Sequence, residues 1–397
     1  MVKKLDGKRI ILLGVTLFSM FFGAGNLIFP PYLGYLAGQE AVPAFIGFML
    51  TAVVFPVLGV TAVARTGGLD HLCEKVHPAF ALVFSFAVYL CIGPMLAIPR
   101  TTSTSYAMFA FLTDRLGEGS IFGISIQFAV SFIYSLLFFI AAGMVAKHPE
   151  KLKDRLGKKL TPILILLILI LFFAGLMHGE LTVNEASGAY ADSAFGTGFV
   201  EGYNTMDTLA AMVFGIVIAM NIRDFGITDN ASIAKETIRG GVIAGIVLAS
   251  MYGMLTFLGT RSGSLISGAQ NGTEILTALS GSFFGDLGSV ILAAIYFIAC
   301  FNVCVGLISS CAKFFSEKLS FMGFDAWRWA ITAWSFCISI MGLNVILAIS
   351  VPILSVIYPV AMAVIVLNLI PFKAFGNPLL HKAVVVLALI YGIYSVI

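Results

Sequence analysis

The chain has 397 residues, 59% of them hydrophobic and 11% charged, with a net charge of +3. Soluble domains carry about 25% charged residues, so composition excludes a soluble globule and indicates an all-α, polytopic membrane protein. The apolar runs are long and continuous, which excludes a β-barrel built of alternating segments of about ten residues.

Apolar stretches of about 20 residues mark helical spans. They fall at 10–36, 41–64, 79–112, 121–147, 161–178, 205–222, 239–260, 286–312, 325–343, 345–370 and 382–397, about eleven in all. The third is long, which predicts strong tilt or extension past the bilayer. The last is short and ends without a polar tail, so the expectation is a minimal final helix or a missing terminal one. Lys3, Lys4, Lys8 and Arg9 lead into the first run with no cleavage site behind a short apolar core, so the first span is expected to be retained.

With the N-terminus inside, 20 of the 23 basic residues fall in inner segments, among them the stretch Lys147–Lys159. The outer loops hold only Arg115 and Arg261, and Arg100 lies within a span. Such asymmetry predicts a cytoplasmic N-terminus. The outer segment Gly179–Asn204 carries Glu180, Glu185, Asp192 and Glu201 and no base; it reads either as an acidic mouth or as ordinary translocated loop. The six cysteines lie in spans or on the inner side, and read as packing residues rather than disulfides or metal ligands.

The first span contains the residues least suited to a continuous helix. Gly23 and Gly25 free the backbone, Asn26 adds a polar group at depth, and Pro30 and Pro31 remove two amide donors. Backbone left unpaired in lipid must be buried in protein or line a polar cavity. The stretch therefore reads as two half-helices framing a buried site, the construction of secondary transporters; the alternative is a proline kink. Five spans later, Gly196–Asp207 is again rich in glycine and polar residues before Thr208–Met220 resumes an apolar helix. Five is odd, so the first and sixth spans enter from opposite sides. Broken helices at matching places in two inverted halves mark a transport site.

Asp207 has two readings, a ligand for an amine or cation, or a cap on the half-helix it begins. Arg100, in Ile92–Thr102, either lines the path or gate or anchors packing, with Thr101 and neighbouring hydroxyls around it. Asn302 in the eighth span is a candidate oxygen ligand for a hard cation. The five histidines sit in loops or at span ends, and there is no HExxH or phosphate loop. This argues against a membrane enzyme or an ATP-driven pump.

Phe21–Pro31 (FFGAGNLIFPP) resembles a signature of the bacterial branched-chain amino acid:cation symporters, as do Gly93–Thr101 (GPMLAIPRT), Glu201–Ile216 (EGYNTMDTLAAMVFGI) and Cys304–Phe315 (CVGLISSCAKFF). The resemblance implies a leucine-transporter fold of the amino acid–polyamine–cation superfamily, one domain over 1–397. Its two inverted five-helix repeats would be 1–178 and 196–371, with broken helices 1 and 6, and 382–397 an extra helix. It implies import of Leu, Ile or Val, coupled to Na⁺ or H⁺ across the bacterial inner membrane. There would be no other cofactor and no nucleic-acid partner; a uniporter or exchanger of another small solute is the alternative. Gly23, Ala24, Gly25 and Asn26 would hold the substrate carboxylate at a half-helix N-terminus. Carbonyls around Tyr203, Asn204 and Thr205 would take its ammonium. Carbonyls of Ser19, Phe22 and Ala299 with the Asn302 side chain would bind Na⁺. Two departures bear on the coupling ion. Asn302–Val303 stands where the family has two threonines, and Ala107 where it tends to have Glu.

Overall fold

The computed structural model describes residues 4–109, 119–121, 124–147, 160–178, 182–369 and 378–396. The ends of the spans read as 79–112 and 345–370, Arg115, Glu180, Lys373 and the basic stretch after Lys147 lie outside those residues.

Helix covers each predicted span. The first is divided into α1 (Gly7–Phe21) and α2 (Ala24–Ala37), and the second into α3 (Ala41–Met49) and α4 (Phe55–Thr66). Short α5 (Leu69–Glu74) leads to α6 (Pro78–Leu90) and α7 (Ala97–Ala107), then α8 (Ile126–Val145) and α9 (Thr161–Met177) follow. The sixth span is α10 (Ala189–Glu201) and α11 (Asp207–Asp224). After it come α12 (Asn230–Thr260), α13 (Gly272–Phe284), α14 (Asp286–Lys318), α15 (Phe324–Ser339), α16 (Leu343–Leu369) and α17 (Pro378–Tyr394). Among the described residues the strand pairing is one tiny hairpin, Ser120–Ile121 against Ile124–Ser125, so α8 begins at Ile126 rather than at 121.

The helices are apolar on both faces. In α9, Leu164, Ile168, Leu171 and Gly175 form a buried stripe at helical spacing, while Ile163, Leu166, Ile170 and Phe173 face outward. A soluble helix would carry polar residues on that outer face. Exposed apolar side chains recur on α8 and α17, and a surface of this kind needs lipid rather than water around it. The protein is a multi-pass membrane protein.

The two broken spans cross-pack. Each half of the sixth lies along the second span, α10 on α3 and α11 on α4, while α1 and α2 both lie along α12, the seventh span. Each break is thus clasped by a helix from the other half of the chain.

The third span, Pro78–Ala107, is not one continuous helix. It breaks at Cys91–Met95, a π-turn in which Gly93 leaves helical geometry (φ −90°, ψ −124°) and Pro94 supplies no amide. Here the continuous apolar character hid a Gly-Pro break, and the break places α7 with Arg100 facing the other two.

Candidate functional site

The first break is shorter than the sequence suggested. Phe22 (ψ 96°) and Gly23 (φ −133°, ψ −153°) are extended, and α2 then runs without interruption through Pro30 and Pro31. The prolines do not form the break, and one of the two carbonyls they free finds another partner. Leu27 O, which loses its amide donor at Pro31, accepts from the Tyr296 hydroxyl at 3.3 Å. The Gly23 N–H donates to Asn26 Oδ1 at 2.8 Å, so Asn26 caps its own half-helix.

The two glycines are required for space, since neither has positive φ. A Cβ on Gly23 would lie 2.8 Å from Val303 Cγ2, and one on Gly25 would lie 2.7 Å from Arg100 Nη2 and 3.1 Å from Thr205 Cα. The N-terminus of α2 is in direct contact with the third, sixth and eighth spans.

The second break has different local chemistry. Gly202–Thr205 form a 3-10 turn, and Met206 sits in the left-handed region at φ 65°, the one non-glycine with positive φ among the described residues. Such a conformation costs about 1–3 kcal/mol and persists only where the surroundings impose it. They do so here. Thr51, in the π-turn of the second span, donates its hydroxyl to Phe199 O at 2.8 Å, and its own carbonyl accepts from Thr208 Oγ1 at 3.0 Å. One residue thereby pins both sides of the break. Sequence reasoning missed Thr51, since nothing local marks a threonine in an apolar run.

Asp207 is the first residue of α11 and makes no capping bond, so the capping alternative is not what the structure shows. Its Oδ2 instead accepts from Asn26 Nδ2 at 2.6 Å and from the Tyr252 hydroxyl at 2.6 Å, and Asn26 Nδ2 also meets Tyr252 Oη. Asn26 comes from α2, Asp207 from α11 and Tyr252 from α12, so this buried cluster bolts the two broken spans to the seventh. Tyr252 too was missed. The available signal was a tyrosine hydroxyl at bilayer depth, where it needs a partner.

Arg100 lies opposite, 3% exposed. Its Nη1 donates to Asn204 O at 2.8 Å, Nη2 makes a longer contact of 3.5 Å with Thr205 O, and the guanidinium lies 5.6 Å from the Phe29 ring centre. Its Nε has no partner. Thr101 turns its hydroxyl to Ile98 O at 2.6 Å. The Tyr203 carbonyl accepts from the Met206 amide at 3.0 Å, and its ring stacks on Tyr358 at 4.7 Å. Of the three carbonyls expected to face an ammonium, those of Asn204 and Thr205 point to a cationic group and that of Tyr203 is used within the turn.

These groups enclose a cavity of about 20 Å³. The lining combines the polar groups of Gly23–Asn26, Arg100, Thr101, Thr205 and Asp207 with an apolar set, chiefly Met20, Phe21, Ile92, Ala210, Val303 and Leu307. The space is of the order of one water, about 10–15 Å³ by the same kind of measure, so an amino acid side chain enters only if the walls move apart.

Next to this cavity, Asn302 Nδ2 donates to Ser19 Oγ at 3.1 Å, joining α14 to α1. Asn302 is fully buried and its Oδ1 has no partner. The Gly23 amide that would continue the α1 ladder onto Ser19 O donates to Asn26 instead. Ala299 lies within α14 and is likewise fully buried. An orphaned buried oxygen beside a hydroxyl and a helix end fits a hard cation, which takes oxygen ligands. Among the described residues no cluster of three or more His, Cys, Asp or Glu side chains forms a metal site.

Residues 6–397 match the family model described as branched-chain amino acid transport protein. The chain is 39% identical to branched-chain amino acid permease BraB of Bacillus subtilis, over 93% of this chain and 82% of that protein. It is 37% identical to the branched-chain amino acid transport system 2 carrier protein of Pseudomonas aeruginosa, over 98% and 87%. With permease BrnQ of Escherichia coli K12 it shares 38% identity over 93% and 82%. These are permeases and carriers, so the family is one of transporters, not enzymes. Among solved structures, MhsT in complex with L-phenylalanine has a TM-score of 0.64 at 14% identity, covering 98% of this chain and 99% of that one. Mhp1, a nucleobase-cation-symport-1 family transporter, has a TM-score of 0.58 at 12% identity, covering 98% and 91%. At those identities the likeness is one of fold, the leucine-transporter fold. By sequence, the chain belongs to the branched-chain amino acid transport protein family.

Proposed function

We propose that this protein imports leucine, isoleucine and valine across the bacterial inner membrane, coupled to Na⁺, by alternating access around the cavity between the first, third, sixth and eighth spans. The observation that carries this reading is the meeting of two complementary backbone breaks at one buried cavity. The α2 N-terminus presents amide donors and a positive dipole end, suited to the substrate carboxylate. The Gly202–Thr205 turn presents the Asn204 and Thr205 carbonyls, suited to its ammonium. The wall of Met20, Phe21, Ile92, Ala210, Val303 and Leu307 suits an aliphatic side chain.

Ser19, Asn302 and the carbonyls of Phe22 and Ala299 would hold the cation, which supplies a positive charge tying α1 to α14. Binding of ion and substrate biases the two states through contacts available in only one of them. The broken spans and their cross-packing support halves over 1–178 and 196–371, with 382–397 added, and the basic-residue asymmetry supports a cytoplasmic N-terminus. The test is leucine uptake into liposomes holding the purified chain, under a Na⁺ gradient, a proton gradient or neither. Acceleration by the Na⁺ gradient alone is expected. A response to protons alone would replace the ion, and exchange without accumulation would replace symport with exchange.

A further inference from the structure

We propose that Arg100 is the residue that makes the site select zwitterions: it shares the amine's carbonyls and turns to clamp the substrate carboxylate. The inference rests on the placement of substrate between the two breaks. It starts from an electrostatic conflict. The guanidinium sits against the N-terminal end of α2, where a Cβ on Gly25 would come within 2.7 Å of Nη2. That end is already positive, and cations are stabilised at the opposite end of a helix. Two positive elements thus converge on one cavity of about 20 Å³. The carboxylate in its wall, Asp207, has Oδ2 already accepting from Asn26 and Tyr252. Among the described residues, neither Asp207 nor any other carboxylate forms an ion pair with the Arg100 guanidinium.

Arg100 also retains unused capacity. A guanidinium offers five donors in a planar fork that matches a carboxylate. Here Nη1 and Nη2 reach Asn204 O and Thr205 O, the second at only 3.5 Å, and Nε is buried without a partner. The acceptors it holds are the carbonyls assigned to the substrate ammonium. An entering amino acid resolves both demands in one exchange. Its ammonium takes the two carbonyls, and its carboxylate receives the guanidinium together with the α2 amides. The buried charge keeps a partner before and after the exchange, and no step leaves a bare cation in the membrane interior.

The exchange sets a rule of recognition. An amine without a carboxylate would displace Arg100 and leave two cations side by side, so it is rejected even with the right side chain. Leucinamide fails for the same reason. A carboxylic acid without the amine leaves the carbonyls with Arg100 and can still meet the guanidinium edge, so it competes weakly but measurably.

The experiment measures equilibrium binding of leucine, isopentylamine, leucinamide and 4-methylpentanoate to the purified full chain, in wild type, R100K and R100Q. A charge-assisted hydrogen bond converts to about 10- to 150-fold in affinity. Wild type is expected to prefer leucine over isopentylamine and leucinamide by at least that factor. In R100Q, leucine weakens while isopentylamine does not, so the preference falls about tenfold or more by the same conversion. R100K, which keeps the charge but not the fork, falls between them. Wild type binding isopentylamine as well as leucine overturns the proposal without recourse to any variant. So does R100Q weakening both ligands equally. If wild type binds no leucine, isoleucine or valine, the functional reading falls first and this inference with it; if leucine binds and the preference is unchanged, only the role of Arg100 falls.

Discussion

The two breaks at the centre of this protein differ in how they are made and in what they offer. The first is made by removing side chains. Gly23 and Gly25 let α2 touch Val303, Arg100 and Thr205, and Asn26 caps the helix from within. The second is made by imposing strain, with a 3-10 turn and left-handed Met206 held in place by Thr51. The first ends on amide donors and the second on carbonyl acceptors. A zwitterion has one pole for each, and the Asn26–Asp207–Tyr252 cluster fixes the two breaks to one another. The contrast teaches that two backbone interruptions of opposite polarity can supply both poles of one site, provided that side chains around them keep both interruptions open.

Breaking the first member of the pair has the largest expected effect. Gly25→Leu drives a branched side chain into Arg100 and the Thr205 backbone, so leucine uptake is abolished while membrane insertion, read by surface labelling, is retained. Normal uptake in that variant would remove the first break from the site. Cutting the bolt between the breaks comes second. Tyr252→Phe removes a donor to the buried Asp207 carboxylate, and loss of a hydrogen bond to a charged group costs about 1.5–3 kcal/mol. Uptake is expected to drop tenfold or more with a lowered melting temperature; a wild-type melting curve and rate would make the cluster incidental.

Relaxing the second break alone is milder. Thr51→Val keeps the shape but loses the bond to Phe199 O, worth about 0.5–1.5 kcal/mol for a neutral pair. The expected result is a severalfold loss of uptake, visible also as faster hydrogen exchange around residues 199–206. Unchanged exchange there would mean that the strain at Met206 is held by something else. The smallest change sharpens the first break. Val303→Thr is close in shape and adds a hydroxyl next to Gly23, beside Asn302 and Ser19. The Na⁺ concentration for half-maximal uptake is expected to fall severalfold, and an unaltered Na⁺ response would count against that cation position.

The spans were legible because a bilayer demands long apolar runs whatever the fold. Both central breaks were legible too, since glycine and polar residues stand out in such runs. What could not be read was anything joining distant positions. A cap was one of the two readings of Asp207 because caps are local; its actual partners are 181 and 45 residues away. The prolines looked like the first break because their missing amides are local; Tyr296 supplies the compensation from 269 residues off. The third break was overlooked because Cys91–Met95 is as apolar as the helix around it. Arg100 was noticed for its charge, but its acceptors are backbone oxygens, which no residue type announces.

The most direct test of the account is a structure of the protein with leucine bound. The account predicts the carboxylate against the Ala24 and Gly25 amides, the ammonium within hydrogen-bond reach of Asn204 O and Thr205 O, and the side chain on the wall of Ile92, Ala210 and Val303. Leucine found away from the two breaks, with Asn204 O and Thr205 O still held by Arg100, would contradict it.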